Sequence, residues 1–172
     1  MVHALYPGTF DPITFGHMRI IERAIPLFDR ITVSVSANKF KEPLFSTEER
    51  IEMIHEAMGD SKNLEITSYD ELTVNYARRI GAKVIIRGLR AVTDYHGEVQ
   101  MAIMNRTVAP DIETLLMVAE ADYSFLSSSL IKEMAWHNGP IENLVPIFVA
   151  EKLMKKMKEV KEGKIKELFL DR

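Results

Sequence analysis

Five short β-type runs separated by stretches of helical periodicity limit what this chain can fold into more than any other feature. The runs are Val2 to Tyr6, Ile31 to Ala37, Leu64 to Ser68, Lys83 to Arg87 and Glu113 to Ala119. Between them, helical patterns run from His17 to Phe28, Ser46 to Met58, Val74 to Ile80 and Ala91 to Thr107. Two more follow, from Ser127 to Trp136 and from Pro146 to Val160. The punctuation agrees: Pro7-Gly8 predicts a tight turn after the first strand, Gly88 halts the fourth, and Gly81 stops the third helix. Ser46-Thr-Glu-Glu49 has the form of a capping box, with serine and glutamate each satisfying the other's orphan N–H. Strands alternating with helices call for a parallel sheet covered on both faces. The predicted class is α/β: a five-stranded parallel sheet with a helical C-terminus.

With 172 residues the chain fits one domain. It has no cysteine, which excludes a disulfide framework, a thiolate metal site and a cysteine nucleophile, and fits a reducing compartment. A net charge of -3 argues against a nucleic-acid partner. No run approaches the ~18 apolar residues of a membrane span, and the first residues lack the build of a signal peptide. A cytoplasmic location without membrane contact is therefore expected. Lys152, Lys155, Lys156 and Lys158 on the last helix read as a solvated face.

Open parallel sheets bind ligands beyond the carboxyl ends of their strands. After the first strand, Gly8, Thr9, Gly16 and His17 lie in a loop that opens a helix, a ready anion site. The second strand is followed by Lys39 and Lys41, the fourth by Arg87-Gly88-Leu89-Arg90, the fifth by Ser124 and Ser127-Ser128-Ser129. Arginine suits bidentate phosphate contacts and lysine supplies a point charge. Taken singly, each has a plain structural reading as turn, cap or solvated charge, and His3, His55, His96 and His137 read as structural or surface residues. Their joint placement at strand ends favours a phosphate-binding edge. GxxxxGK[ST], GxGxxG and GxSxG are all absent, against a P-loop, a dinucleotide oxidoreductase and a serine hydrolase.

Thr14-Phe15-Gly16-His17 resembles the (T/H)xGH signature of the nucleotidyltransferase superfamily. Added to it are Tyr-Pro-Gly-Thr-Phe-Asp-Pro-Ile-Thr from 6 to 14, Arg-Gly-Leu-Arg from 87 to 90, Glu98 with Gln100 and Met101, Asn105-Arg106, and Ser-Phe-Leu-Ser-Ser-Ser from 124 to 129. Together they resemble the bacterial phosphopantetheine adenylyltransferases, from about residue 2 to 157. The resemblance implies a Rossmann-like doubly wound fold, with 1–157 as the nucleotidyltransferase domain; 158–172 lie outside the match as a C-terminal tail, part of the same domain or a short added helix. It implies adenylyl transfer from ATP to 4′-phosphopantetheine, giving dephospho-coenzyme A and pyrophosphate in coenzyme A biosynthesis. Mg²⁺ would be carried by the ATP phosphates with no protein ligand. A homohexamer, a dimer of trimers, and feedback inhibition by coenzyme A are implied too.

By the same resemblance, His17, Lys41 and Arg90 are the catalytic residues. Thr9, Lys41, Thr73 and Arg87 would bind the acceptor. Thr9, Phe10, His17, Gly88, Leu89, Arg90, Glu98, Tyr123, Ser124, Phe125, Leu126, Ser127, Ser128 and Ser129 would bind ATP. The attacking group, a phosphate with a second pKa of ~6, is mostly dianionic at neutral pH and needs no general base. Attack is then direct and in line, without a covalent enzyme intermediate.

Three positions depart from the family pattern: Phe15, expected to face away from the site; Glu42 after Lys41; and Gly97 in the run Asp94 to Glu98. Two other readings stay open on the residues alone. One is a sister nucleotidyltransferase acting on nicotinamide mononucleotide, glycerol phosphate or a choline-like head group. The other is a regulator that binds nucleotide or coenzyme A without turnover.

Overall fold

The computed structural model describes residues 1–37 and 43–163, with Val92 and Thr93 as backbone alone. The strands are β1 (His3–Gly8), β2 (Arg30–Ser36), β3 (Leu64–Tyr69), β4 (Val84–Leu89) and β5 (Glu113–Val118). The helices are α1 (Phe15–Ala24), α2 (Thr47–Met58), α3 (Thr73–Ile80), α4 (Val92–Val108), α5 (Ser128–Trp136) and α6 (Ile147–Lys161). All strand pairs are parallel, in the order β3-β2-β1-β4-β5. This is the expected doubly wound α/β fold.

Side chains alternate across β1. Ala4 and Tyr6 enter a large core with α1, α2, α5 and α6, and Leu5 enters a smaller one with Val74, Tyr76 and Ala77 of α3. The direction of winding reverses between β1 and β4, the point where such sheets form a ligand crevice. There the strands part: β1 pairs with β4 only through Ala4–Val84 and Leu5–Ile85, while on its other side it stays paired with β2 as far as Gly8–Val35.

That splay corrects the reading of the turn residues. Pro7 and Gly8 do not close β1; they are its last two rungs, and Gly88 likewise continues β4 and pairs with Met117. A proline lacking N–H is tolerated in this central strand because β4 has already left that side. The helix expected from His17 to Phe28 is α1 followed by a 3-10 turn, Ile25–Leu27, with Pro26 where the α-helix yields. The Ser46–Glu49 capping box forms, with Ser46 N–H to Glu49 Oε2 at 2.7 Å and Glu49 N–H to Ser46 Oγ at 3.2 Å.

The basic face of α6 is not simply solvated. Lys156 Nζ lies 2.6 Å and 2.9 Å from the two oxygens of Glu49, with its side chain only 19% exposed, and joins α6 to α2. Val160 is buried, and α6 runs to Lys161. Residues 164–172 of the expected tail lie outside the described residues. No helix among the described residues is long and apolar enough to cross a membrane.

Candidate active site

Gly8 ends β1 where the chain must turn back on itself. A Cβ there would lie 2.7 Å from the Phe10 ring, closer than such contacts occur, so the ring's position requires glycine. Phe10 has a φ of 48°, and its buried ring stands edge-on to Tyr6 and His17, with centroids 5.5 Å and 5.1 Å away. Gly88 differs: a Cβ would meet Tyr6 Oη and Ile20 at an ordinary 3.7–3.8 Å, so packing alone does not demand a glycine.

Thr14 caps α1, and His17 completes a second capping box that the sequence reading missed, because histidine is not the usual partner. The Thr14 N–H donates to His17 Nδ1 at 3.1 Å, and His17 N–H donates to Thr14 Oγ1 at 3.5 Å. With Nδ1 an acceptor, the neutral ring carries its proton on Nε2. Burial, then the positive charges of Arg90 and Arg87, push the His17 pKa down to about 4. At neutral pH the site therefore holds an uncharged imidazole with one donor, Nε2–H. Tyr6, whose ring stands against that of Phe10, has its pKa raised by burial and stays protonated, with Arg87 and Arg90 opposing the shift.

Arg87 and Arg90 approach from β4. Arg87 is gripped bidentately by Glu98 of α4, at 2.7 Å and 2.8 Å, and also donates to the Pro7 carbonyl at 3.3 Å. Those bonds to Glu98 raise its pKa further and keep it charged. Arg90 is held by Asp94 at 2.9 Å and donates to the Leu126 carbonyl at 2.8 Å. The fourth-strand motif is thereby tied both to the end of β1 and to the segment before α5.

On that segment Ser127 caps α5, accepting from Leu130 N–H at 3.0 Å, and Ser128 donates to the Pro12 carbonyl at 2.8 Å. Ser129 is exposed. As first-turn groups, the amides of Ser128 and Ser129 have no intrahelical acceptors and suit an anion. Ser124 donates to Ala121 O at 2.9 Å, Leu126 is buried and Phe125 is exposed. The Phe15 ring lies 6.1 Å from that of Tyr123, which Arg19 also approaches.

Thr73 opens α3, its hydroxyl 3.0 Å from Tyr69 Oη, on the side of the crevice where Tyr69 acts electrostatically on Arg87. The Thr9 carbonyl accepts from Arg50 Nη1 at 2.8 Å. Lys39, Lys41 and Glu42 lie outside the described residues. Sequence reasoning also missed the roles of Asp94, legible only as an acid four residues beyond Arg90, and of Asp11, present there only as one letter of the 6–14 motif, together with the buried Arg50 and the part-buried Lys132, which carry no local signal. Among the described residues, no cluster of three or more histidine or acidic side chains could hold a metal ion.

A neutral histidine at the helix start after β1, facing two arginines across the switch point, is a setting for phosphate transfer. The cytidylyltransferase-like family model matches residues 5–134, and the chain is a nucleotidyltransferase-type protein of that class. The phosphopantetheine adenylyltransferase of Geotalea daltonii is 53% identical over 150 residues, covering 87% of this chain and 93% of that relative. Its counterpart in Carboxydothermus hydrogenoformans is 49% identical over 160 residues, 93% of this chain and 98% of that one. The chain belongs to the phosphopantetheine adenylyltransferase family. A putative nicotinate-nucleotide adenylyltransferase of known structure from Vibrio parahaemolyticus shares the fold, with a TM-score of 0.61 and 16% identity over 90% of this chain and 99% of that one.

Proposed function

We propose that this chain transfers the adenylyl group of ATP to 4′-phosphopantetheine, giving dephospho-coenzyme A and pyrophosphate, as the names of its relatives indicate for them. The observation that carries the mechanism is the neutral His17, its Nδ1 occupied by the Thr14 amide and its Nε2–H left as donor. An acceptor phosphate oxygen attacks the α-phosphorus in line; the new P–O bond forms as the bond to the β-phosphate bridge breaks, and pyrophosphate leaves with that electron pair. The attacking phosphate is already dianionic, so His17 need not remove a proton. Its Nε2–H instead stabilises charge on the α-phosphate oxygens, and Arg90 supports the departing phosphates.

Thr9, Lys41, Thr73 and Arg87 position the acceptor in this reading. Gly88, Leu89, Arg90, Glu98 and the segment Tyr123 to Ser129 hold the nucleotide, with Phe10 beside them. Mg²⁺ enters with the substrate as MgATP. The cytoplasm, where ATP is available, is the proposed compartment, and the lack of cysteine fits it.

A homohexamer and feedback inhibition by coenzyme A belong to the same proposal. The oligomer is supported by exposed apolar side chains at one edge of the sheet: Met101, Ile103, Met104 and Val108 of α4 and Leu115 and Val118 of the edge strand β5 are all 43–62% exposed. A second copy of the chain is the occupant proposed for it, and light scattering would find a single subunit mass if that is wrong. Coenzyme A shares the acceptor's pantetheine arm and would compete for Thr73 and Arg87.

The direct test of the function is pyrophosphate release from MgATP with phosphopantetheine, nicotinamide mononucleotide or glycerol 3-phosphate as acceptor. Release with phosphopantetheine alone is expected. Release only with a rival acceptor would replace the substrate, and none at all from folded protein that binds ATP would leave a regulator.

A further inference from the structure

Arg50 is a buried arginine whose work the reaction as described does not use. It lies in the first turn of α2, is 1% exposed, and is among the largest fully buried side chains. Burial drives its pKa down, with Asp11 the foremost charge opposing that. Its guanidinium donates from Nη1 to the carbonyls of Thr9 (2.8 Å) and Ser36 (3.2 Å), from Nε to the Ser46 carbonyl (3.2 Å), and from Nη2 to Thr47 Oγ1 (3.1 Å). Ser36 precedes and Ser46 follows the stretch that contains Lys41 in sequence. One side chain thus joins both flanks of that stretch to Thr9.

Asp11 makes the reciprocal connection. Its carboxylate accepts from the Leu44 and Phe45 amides at 3.0 Å and 2.9 Å, and from Lys132 of α5 at 2.7 Å. Residues 9–11 and 44–46 are therefore buckled in both directions, carbonyl to guanidinium and amide to carboxylate. A buried charge is seldom the most stable way to fill a core, since apolar replacements of similar volume are often as stable or more so. What a planar guanidinium offers over an apolar residue is fixed geometry toward several carbonyls at once. Holding the Thr9 carbonyl inward also keeps a negative dipole away from an incoming anion.

We propose that Arg50 is a positioning residue for the acceptor phosphate: without touching substrate, it fixes the backbone of Thr9 to that of Ser36 and Ser46. The inference rests on the function proposed above. In Arg50→Lys the charge remains but the fork is lost. The expected result is a fall of about 30- to 100-fold in kcat/KM for phosphopantetheine, while the ATP affinity measured by calorimetry stays within about 3-fold of wild type. A folded variant with an unchanged acceptor kcat/KM overturns the proposal. So does an equal loss for both substrates, which would mark Arg50 as scaffold only.

Should Arg50→Lys fail to fold, Thr47→Val removes a single acceptor of the guanidinium. A drop of about 3-fold confined to the acceptor then supports the proposal, and wild-type kinetics overturn it. Wild-type protein that releases no pyrophosphate from MgATP and phosphopantetheine overturns the proposed function and this inference with it. Active wild type with an indifferent Arg50→Lys overturns the inference alone.

Discussion

On the β1 side of the crevice, Asp11 and Arg50 are 2% and 1% exposed and bonded into the backbone of the neighbouring segments. On the β4 side, Arg87 and Arg90 have side chains 32% and 40% exposed, each held by one carboxylate of α4. The first side is built into the core and is set before any ligand arrives. The second is a pair of part-exposed ion pairs, where an incoming phosphate of the proposed reaction would share a guanidinium with Glu98 or Asp94. The contrast suits the proposed reaction, which would bring two anions together: a rigid seat for one, and cations for the other that are kept in place but partly neutralised.

The β1 side is most easily disrupted at Asp11. Asp11→Ala leaves Lys132 without its buried carboxylate and two amides without their acceptor, and should lower the unfolding free energy by about 3–5 kcal/mol in urea denaturation. A loss below about 1 kcal/mol would mean that the β1 side is no more rigid than the β4 side. His17→Ala comes next, with turnover falling about 10²- to 10³-fold, or ~2.7–4 kcal/mol, at little change in ATP affinity. Unchanged kcat at saturating substrates would remove His17 from the transition state.

The depressed pKa of His17 makes two claims about pH. Its folded value, about 4, lies below the ordinary 6.5, so stability from the neutral ring is complete above pH 6.5 and lost as pH falls toward 4. The stability difference between wild type and His17→Gln should shrink over that window by on the order of 2–3 kcal/mol. In kinetics, kcat/KM for the acceptor should rise through the phosphate ionisation near pH ~6 and then stay level. A second limb near pH ~6.5 belonging to the enzyme would show that His17 titrates normally.

Glu98→Gln probes the surface side. Because the pair with Arg87 is only part-buried, stability should change by under about 1 kcal/mol while acceptor KM shifts about 5-fold. A collapse in stability would place Glu98 with Asp11 instead. The smallest effect is a gain. Gly97 sits exposed within α4 with nothing within 4 Å of a built Cβ, so Gly97→Ala should raise stability by about 0.5–1 kcal/mol with activity unchanged.

The fold could be read in the sequence because alternating β-branched and helical runs admit few arrangements, and the serine–glutamate cap at α2 followed from residue type and spacing. The ends of β1 and β4 could not. Whether Pro7-Gly8 and Gly88 turn or continue depends on which neighbouring strand is still paired there, a property of the sheet and not of the segment. The site was legible where donors follow strands in sequence, as with His17 and Arg87 to Arg90. It was illegible where function depends on partners distant in the chain. Arg50 stands in a polar helical turn and has the look of a surface residue, until Thr9 and Ser36 converge on it. The charge of His17 could not be read from the sequence, since it is set by burial, the Thr14 amide and the positive charges of Arg90 and Arg87.

In the proposed reaction these residues position and stabilise but never bond to the adenylyl group. Its most direct test uses ATP carrying a chiral thiophosphate at the α-position, followed by analysis of the configuration at phosphorus in the dephospho-coenzyme A analogue. A single in-line displacement predicts inversion. Retention would require an adenylyl-enzyme intermediate, with a nucleophilic side chain in the site, and would rule out direct transfer.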